Sequence, residues 1–366
     1  MIGNLQNWKN SKLSELGEII TGNTPSKKHE EYYGGTIPWV KPSDLDKFKP
    51  IIETDKYLTK EGAKLARILP KDAILVSCIG NLAKVGIAGI SLATNQQINA
   101  IIFNEKIYPK FGYYVCRRLR KAIESYATAT TLPIITKSKF SEIQISYPSL
   151  TIQQKIASIL EKCESSIEKR KEANRLTDEF LKSTFLKMFK ETYLIKNMTE
   201  IFYIKTGKLN ANAAKENGLY PFFTCSRKTF AINDFAFDQE ALILSGNNAT
   251  AEYSVKHYKG KFNAYQRTYI LTLKDSNNSY EFFKISLENQ LNILKNRSIG
   301  SNTKYLTMDI MERIQLVVPP IELQHKFADI VQKTEKLKEK QKESEKELNN
   351  LFNSLMQKSF KGELFQ

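Results

Sequence analysis

Cysteine and histidine are scarce in this chain, and long apolar runs are absent. Its four cysteines (Cys78, Cys116, Cys163, Cys225) form no C-x-x-C pair, and its three histidines (His29, His257, His325) show no H-E-x-x-H spacing. Ligands need close spacing to converge on one metal, so neither a metal site nor a disulfide is expected, and the cysteines read as small buried hydrophobes. No stretch approaches the run of about 20 apolar residues that a spanning helix needs, and the N-terminal MIGNLQNWKNSK has no apolar leader core. The chain therefore reads as cytoplasmic. It has no G-x-x-x-x-G-K-[ST] phosphate loop, no glycine-rich nucleotide fingerprint after a strand and no Asn-Pro-Pro-Tyr tetrapeptide of the aminomethyltransferase kind. Acidic pairs such as Asp44 and Asp46 occur, but no nuclease-like Asp…Glu-x-Lys set stands out among 39 acids. A catalytic role is not expected.

What the chain has in surplus is positive charge. The formal net charge is +16, of which +8 falls in residues 1–150, +3 in 151–190, +4 in 191–317 and +1 in 318–366. A surplus of this size attracts polyanions over distances longer than single contacts, and nucleic acid is the expected partner. A lysine-rich surface kept only for solubility is the competing reading.

The second surplus is repetition. VPPIELQHKFADIVQKTEKL (318–337) has an echo in YPSLTIQQKIASILEKCESS (147–166), and the match runs without a gap at an offset of 171 through 147–190 and 318–361. Among the identical pairs are Pro148/Pro319, Gln153/Gln324, Lys155/Lys326, Ala157/Ala328, Glu168/Glu339, Ser183/Ser354 and Phe189/Phe360. Such a repeat fixes the architecture before anything else. Each copy reads as one long helix, introduced by proline, and Gly362 closes the second. In the second copy Leu323, Phe327, Ile330, Thr334, Leu337, Gln341, Ser344, Leu348, Leu351 and Leu355 follow alternating steps of four and three, the spacing of a coiled-coil seam. The first copy has Ile152, Ile156, Ile159, Cys163, Ala173, Phe180 and Thr184 at matching places. A helix of about 38 residues is about 57 Å long. Two such polar-centred seams in one chain are expected to pack on each other antiparallel, with the globular parts at opposite ends and a pseudo-twofold axis between them.

Fainter repeats extend into those globular parts. AILVS (73–77) is similar to ALILS (241–245), and Thr94-Asn95-Gln96-Gln97 before INAII matches Ala264-Tyr265-Gln266-Arg267 before TYILTL. IITKSKFSEIQISYP (134–148) aligns with YLTMDIMERIQLVVP (305–319). Alternating β-branched runs such as 73–77 and 97–103 predict strands, and 109–125 predicts a helix, so each part is expected to be mixed α and β, an α+β fold. The expected division is 1–147, a first globular domain; 148–190, a helix; 191–317, a second domain; and 318–366, the second helix. Between the shared strands the copies diverge, as two homologous scaffolds would if they read two unlike things.

Those segments resemble the specificity (S) subunits of type I restriction-modification systems. WKNSKLSELGEIITGNTPSK (8–27) and GTIPWVKPSDL (35–45) look like the opening of a target-recognition domain, ILVSCIGNLAKVGIAG (74–89) with TNQQINAI (94–101) like its middle, and the helical repeats ending in SFKGEL (359–364) like the two conserved spacers. The second domain departs from this in having YPFFTCSR (220–227) where an I-P-W-V-K equivalent would stand. The resemblance implies a bipartite, asymmetric double-stranded DNA target, with one half-site read by each domain through the major groove. It also implies two modification (methyltransferase) subunits docked on the helices, restriction-translocase subunits joining them, and S-adenosylmethionine bound by the modification subunit rather than by this chain.

Base reading needs donors and acceptors on positioned side chains, with Asn or Gln suited to adenine and Arg or Lys to guanine. In the first domain the candidates are Asn95, Gln96, Gln97 and Asn99, with Thr24, Ser26, Lys27, Lys41, Ser43, Asn81 and Lys84 in turn-like segments. In the second they are Ser226, Arg227, Lys228, Asn247, Asn248, Tyr265, Gln266, Arg267, Lys304 and Tyr305. Asn247 and Asn248 also suit a turn for backbone reasons alone. Gln96 and Gln266 match across the copies, so a shared structural hydrogen bond competes with base contact there. Gln97 opposite Arg267 is the sharper expectation. Two other classes stay open: a coiled-coil scaffold with two protein-binding ends, and a self-sufficient DNA-modifying enzyme, which would need a catalytic motif.

Overall fold

A computed structural model describes residues 8–126, 132–190 and 193–365. The chain divides into two compact units, residues 1–172 with 343–366, and residues 173–342. Two long helices, Leu150–Met188 and Ile321–Phe360, each contribute one part to each unit.

The first unit carries two four-stranded sheets. One runs in the order Gly17–Thr21, Ile98–Phe103, Ile74–Ser77, Val85–Ile87, all antiparallel. The other runs Tyr57–Leu58, Tyr33–Val40, Leu92–Thr94, Ile68–Leu69, with a parallel pairing of Trp39 to Ala93 and Val40 to Thr94. The run expected to form one helix over 109–125 breaks in two, Pro109–Arg118 and Arg120–Ser125, because Leu119 leaves helical geometry at ψ 0°. The second unit holds one six-stranded sheet in the order Phe202–Thr206, Thr268–Leu273, Phe237–Ser245, Val255–Ala264, Tyr220–Phe223, Phe230–Ile232, backed by the helix Tyr280–Arg297. Its one parallel pairing among the described strands, Phe222 to Asn263 and Phe223 to Ala264, repeats that of Trp39 and Val40. YPFFTCSR is thus the structural counterpart of IPWVK after all; the backbone register is kept, with Pro38 matching Pro221 and Trp39 matching Phe222, while the other side chains differ.

The duplication reaches the hydrogen bonds. Ribbons pair Lys9 with Tyr147 in one unit and Leu194 with Val318 in the other. Glu15 and Glu200 accept from the backbone N–H of Lys12 and Asn197, and Thr136 and Thr307 cap equivalent short helices. The repeated glutamine of the long helices is buried in both copies. Gln153 accepts from Tyr108 N–H (2.8 Å) and donates to the carbonyls of Lys106 and Pro148 (2.9 Å each). Gln324 accepts from Ser279 N–H (3.0 Å) and donates to Asn278 Oδ1 (2.8 Å) and the Pro319 carbonyl (2.9 Å). Each amide ties the start of a long helix to the start of the helix that backs the sheet.

Within each unit the long helices pack antiparallel. In the second unit Phe327 meets Phe185 (5.5 Å between ring centres), while Gln341 Nε2 donates to Thr177 (3.0 Å). In the first, Cys163 Sγ lies 3.8 Å from the Leu348 carbonyl, and the Lys155 ammonium lies over Phe365. The seam is largely as expected. Phe327, Ile330, Thr334, Gln341, Ser344, Leu348 and Leu355 are buried or half-buried, but two positions move one residue on, to Lys338 and Phe352. Leu337 and Leu351 stay about half exposed, as does Phe180 on the first helix. Phe352 wins over Leu351 because it fills the first unit's core against Tyr114 and Phe48. Lys338 lies along the seam with its ammonium held by Asp178 (2.9 Å) and Glu335. Gly362, at φ 70°, ends the second helix as a left-handed residue after its last turn.

One buried ionic cluster belongs to the first unit. Glu164, on the first long helix, is ion-paired with Arg117 and accepts from Tyr114 O–H (2.8 Å). The Arg117 guanidinium also lies over the rings of Phe48 (5.0 Å) and Phe352 (5.2 Å). Burial outweighs the arginine and lifts the Glu164 carboxyl to about 7. The folded unit then holds this proton more tightly than the unfolded chain, so the contribution is fully present below about 4.5 and is lost as pH rises toward 7. Glu164→Gln is expected to flatten that part of the profile in denaturant titrations from pH 5 to 8; an unchanged slope would place the titration elsewhere. Gln153→Ala and Gln324→Ala are each expected to cost about 3 kcal/mol in the same titrations, because each strands several buried polar groups.

Candidate nucleic-acid interface

The equivalent turns Asn95-Gln96-Gln97 and Tyr265-Gln266-Arg267 sit in one backbone frame. Asn95 N–H donates to the Val40 carbonyl (3.0 Å) and Tyr265 N–H to the Phe223 carbonyl (2.8 Å). Ile98 N–H closes on the Asn95 carbonyl (3.2 Å) as Thr268 N–H does on that of Tyr265 (2.8 Å). Gly22 and Gly207 N–H donate to the Ile98 and Thr268 carbonyls. A Cβ on Gly22 would lie 2.3 Å from the Asn95 carbonyl oxygen, and one on Gly207 2.0 Å from that of Ala264, so only glycine permits the approach.

The shared glutamines close the frame with their side chains. Gln96 accepts from the Thr24 hydroxyl, and Gln266 Nε2 donates to Asn210 Oδ1 (3.0 Å). Both exposed amides clip the turn to the segment after the preceding Thr-Gly pair. Each of the two side chains thus makes a hydrogen bond within its own unit and stays exposed.

Two expected base readers in the first unit are buried instead. Asn95, 6% exposed, folds its amide against its own turn, accepting from Gln97 N–H (3.1 Å) and donating to Gln97 Oε1 (2.9 Å). Asn99, 1% exposed, lies inside its strand and accepts from the Thr21 hydroxyl (2.7 Å). Neither reaches the surface, since Asn95 is held in an Asx turn and Asn99 is buried in its strand, with its Nδ2 unpaired.

The remaining candidates of this unit surround the turn. Gln97 is half-buried, with its carbonyl receiving Cys78 N–H (2.7 Å). The Lys41 ammonium lies over Trp39 at 5.2 Å, and Ser43 is exposed in the short turn of helix Pro42–Asp44, which Asp44 caps. Ser26 and Lys27 are exposed in a turn closed by His29 N–H on the Ser26 carbonyl (3.2 Å). Asn81 and Lys84 lie on the hairpin between Ile74–Ser77 and Val85–Ile87, lining an open cleft of about 490 Å³ with Asp46, Arg120 and Glu124. Burial lifts the Cys78 thiol to about 11, so it is not a nucleophile at neutral pH.

In the second unit the candidates form one connected surface. The Arg267 carbonyl receives Gly246 N–H (2.9 Å) and the Cys225 thiol (3.2 Å), which joins the turn to the segment carrying Ser226, Arg227 and Lys228. Asn247 and Asn248 pair with Tyr305 and Lys304 in a two-stranded ribbon, and the Arg267 guanidinium lies over the Tyr305 ring at 5.0 Å. Asn248 is consumed by its turn, accepting from Thr250 N–H and O–H (2.8 Å each). Arg227 pairs with Glu252 (3.1 Å) where both are exposed, a contact worth little. Lys228 lies near Phe230.

Lys256 was not among the candidates, yet it holds this surface together. From the strand Val255–Ala264 its ammonium donates to the Ser226 carbonyl (2.9 Å) and lies 3.4 Å from the Thr229 hydroxyl, over the Phe223 ring (5.6 Å). Burial lowers its pKa. Asn210 was missed as well, although the Thr-Gly pairs at 21–22 and 206–207 mark the segment it belongs to. Among the described residues no group of three or more His, Cys, Asp or Glu side chains could hold a metal, and no helix is long and apolar enough to cross a membrane. The surface offers donors, acceptors and cations. Lys256→Met is expected to speed amide exchange of Arg227–Thr229 roughly tenfold, the effect of losing about 1.4 kcal/mol locally, while Thr268–Leu273 is unchanged; equal acceleration in both would mean general loosening.

Comparison with known proteins follows the same division. The sequence matches the model of the type I restriction modification DNA specificity domain twice, over residues 6–177 and 190–350. It is 26% identical to the type I restriction enzyme MjaIX specificity subunit of Methanocaldococcus jannaschii, across 89% of this chain and 86% of that one. It is 33% identical to the HindI specificity subunit of Haemophilus influenzae, across 48% of this chain and 40% of the other. Its fold is similar to the crystal structure of a type I S subunit from M. genitalium, with a TM-score of 0.65 at 17% identity over 97% and 96% of the two chains.

Proposed function

This chain belongs to the family of type I restriction-modification DNA specificity subunits, and on that premise we propose that it reads a bipartite, asymmetric double-stranded DNA target, one half-site per unit. The observation that carries this reading is the pair of equivalent turns. One hydrogen-bonded frame, built twice, presents Gln97 in one unit and Arg267 in the other, which is what reading two different elements with one geometry requires. The excess of positive charge supplies the sequence-independent part of the affinity.

In this reading the chain itself catalyses nothing. Two modification subunits dock on the long helices and bind S-adenosylmethionine to methylate adenine, and restriction-translocase subunits join them. Support for docking comes from Phe180, Leu337 and Leu351, large apolar side chains left outside the seam.

Co-expression with a modification subunit, followed by sequencing of host DNA for methylated adenine, is expected to give a single split motif. Gln97→Ala is expected to relax one base in one half of that motif, losing about 1–3 kcal/mol of discrimination there. Loss of preference in both halves at once would make Gln97 structural. DNA binding of the assembled complex is expected to fall steeply with salt; a salt-independent association would favour a protein-binding scaffold instead.

A further inference from the structure

Arg267 is the most constrained exposed cation of the second unit's reading surface. Its carbonyl is held from two sides, by Gly246 N–H and the Cys225 thiol. A Cβ on Gly246 would come within 2.4 Å of that carbonyl oxygen, so the contact needs glycine there. Its guanidinium lies on the Tyr305 ring, and Tyr305 is itself fixed by two backbone hydrogen bonds with Ile299 (2.8 and 3.2 Å) and by its pairing with Asn247. A flexible arginine serves for a phosphate. One whose backbone and planar head are both set in advance is suited to a planar, two-point acceptor.

We propose that Arg267 reads a guanine through O6 and N7 in the half-site of the second unit, and that residues 97 and 267 are interchangeable specificity positions, glutamine there selecting adenine. This rests on the DNA-reading function proposed above and adds the base identities. The fork of N–H donors on Arg267 matches the two acceptors that guanine alone shows side by side in the major groove, whereas the Gln97 amide matches the acceptor and donor of adenine. Interchangeability follows from the frame. The bonds of Asn95 and Tyr265 to the preceding strand, of Ile98 and Thr268 to the turn, and of Gln96 and Gln266 to the flanking segment occur in both units. A substitution at 97 or 267 changes what the frame presents and leaves its main-chain bonds intact; at 97 it also removes the Oε1 that accepts from Asn95 Nδ2 (2.9 Å).

The test uses the chain assembled with a modification subunit, with the methylated-adenine motif as readout. The wild type is expected to show an invariant guanine in one half-site. In Arg267→Gln that position is expected to shift toward adenine, with a roughly 10- to 100-fold loss of guanine preference, while the other half-site stays as it was. In Gln97→Arg one base of the other half-site is expected to shift toward guanine. If Arg267→Gln lowers methylation at every site equally without changing the motif, Arg267 is a phosphate contact and the proposal falls. If Arg267→Gln abolishes methylation, Gln97→Arg decides: a first half-site without new guanine overturns the interchange. A wild-type complex with no split motif would instead remove the DNA-reading function on which the proposal rests, a different result from an unchanged motif.

Discussion

Two buried glutamine side chains hold the architecture together. Gln153 and Gln324 each sit at the start of a long helix, where proline has removed a donor and the first turn leaves N–H groups without intrahelical partners. The amide is the one side chain that both accepts and donates at this length. With it, each clamp satisfies a backbone N–H from the neighbouring helix start and carbonyls on its own side. In each unit that junction fixes the start of a long helix to the start of the helix packed on the sheet.

Much of this was legible as repetition and little as burial. The offset of 171 located both long helices and the glutamine pair, because a duplicated contact preserves the residues that make it. The seam was misplaced at Leu337 and Leu351 because a heptad count sees spacing alone, whereas Phe352 and Lys338 are chosen by what faces them, Tyr114 and Phe48 for one, Asp178 and Glu335 for the other. Asn95 and Asn99 looked like readers because they are short, polar and near a strand; Asn95 is instead folded into a local turn with Gln97, and the side of the sheet that Asn99 faces is set by its register with Thr21, far away in sequence. The match between IPWVK and YPFFTCSR is carried mainly by main-chain pairing, with only Pro38 and Pro221 identical and Trp39 and Phe222 both aromatic.

The same separation governs the candidate surface. Contacts that build the frame are largely main-chain, or use side chains repeated in both units, such as Gln96 and Gln266. Contacts that could distinguish partners lie on side chains that differ, Gln97 and Arg267 above all. Lys256 belongs to neither group: it anchors one loop of one unit and has no echo in the other, which is why a search for repeats passes over it.

The division of the chain also sets an order in time. The second unit is one continuous stretch, whereas the first closes only when residues 343–366 return to it, with Phe352 and Phe360 entering the core built by Leu13, Phe111 and Ile167. Domains ordinarily fold from the N-terminus as they leave the ribosome. Here the unit that is begun first is finished last, and until the final helix emerges its core stays open on the face that Phe352 and Phe360 will cover.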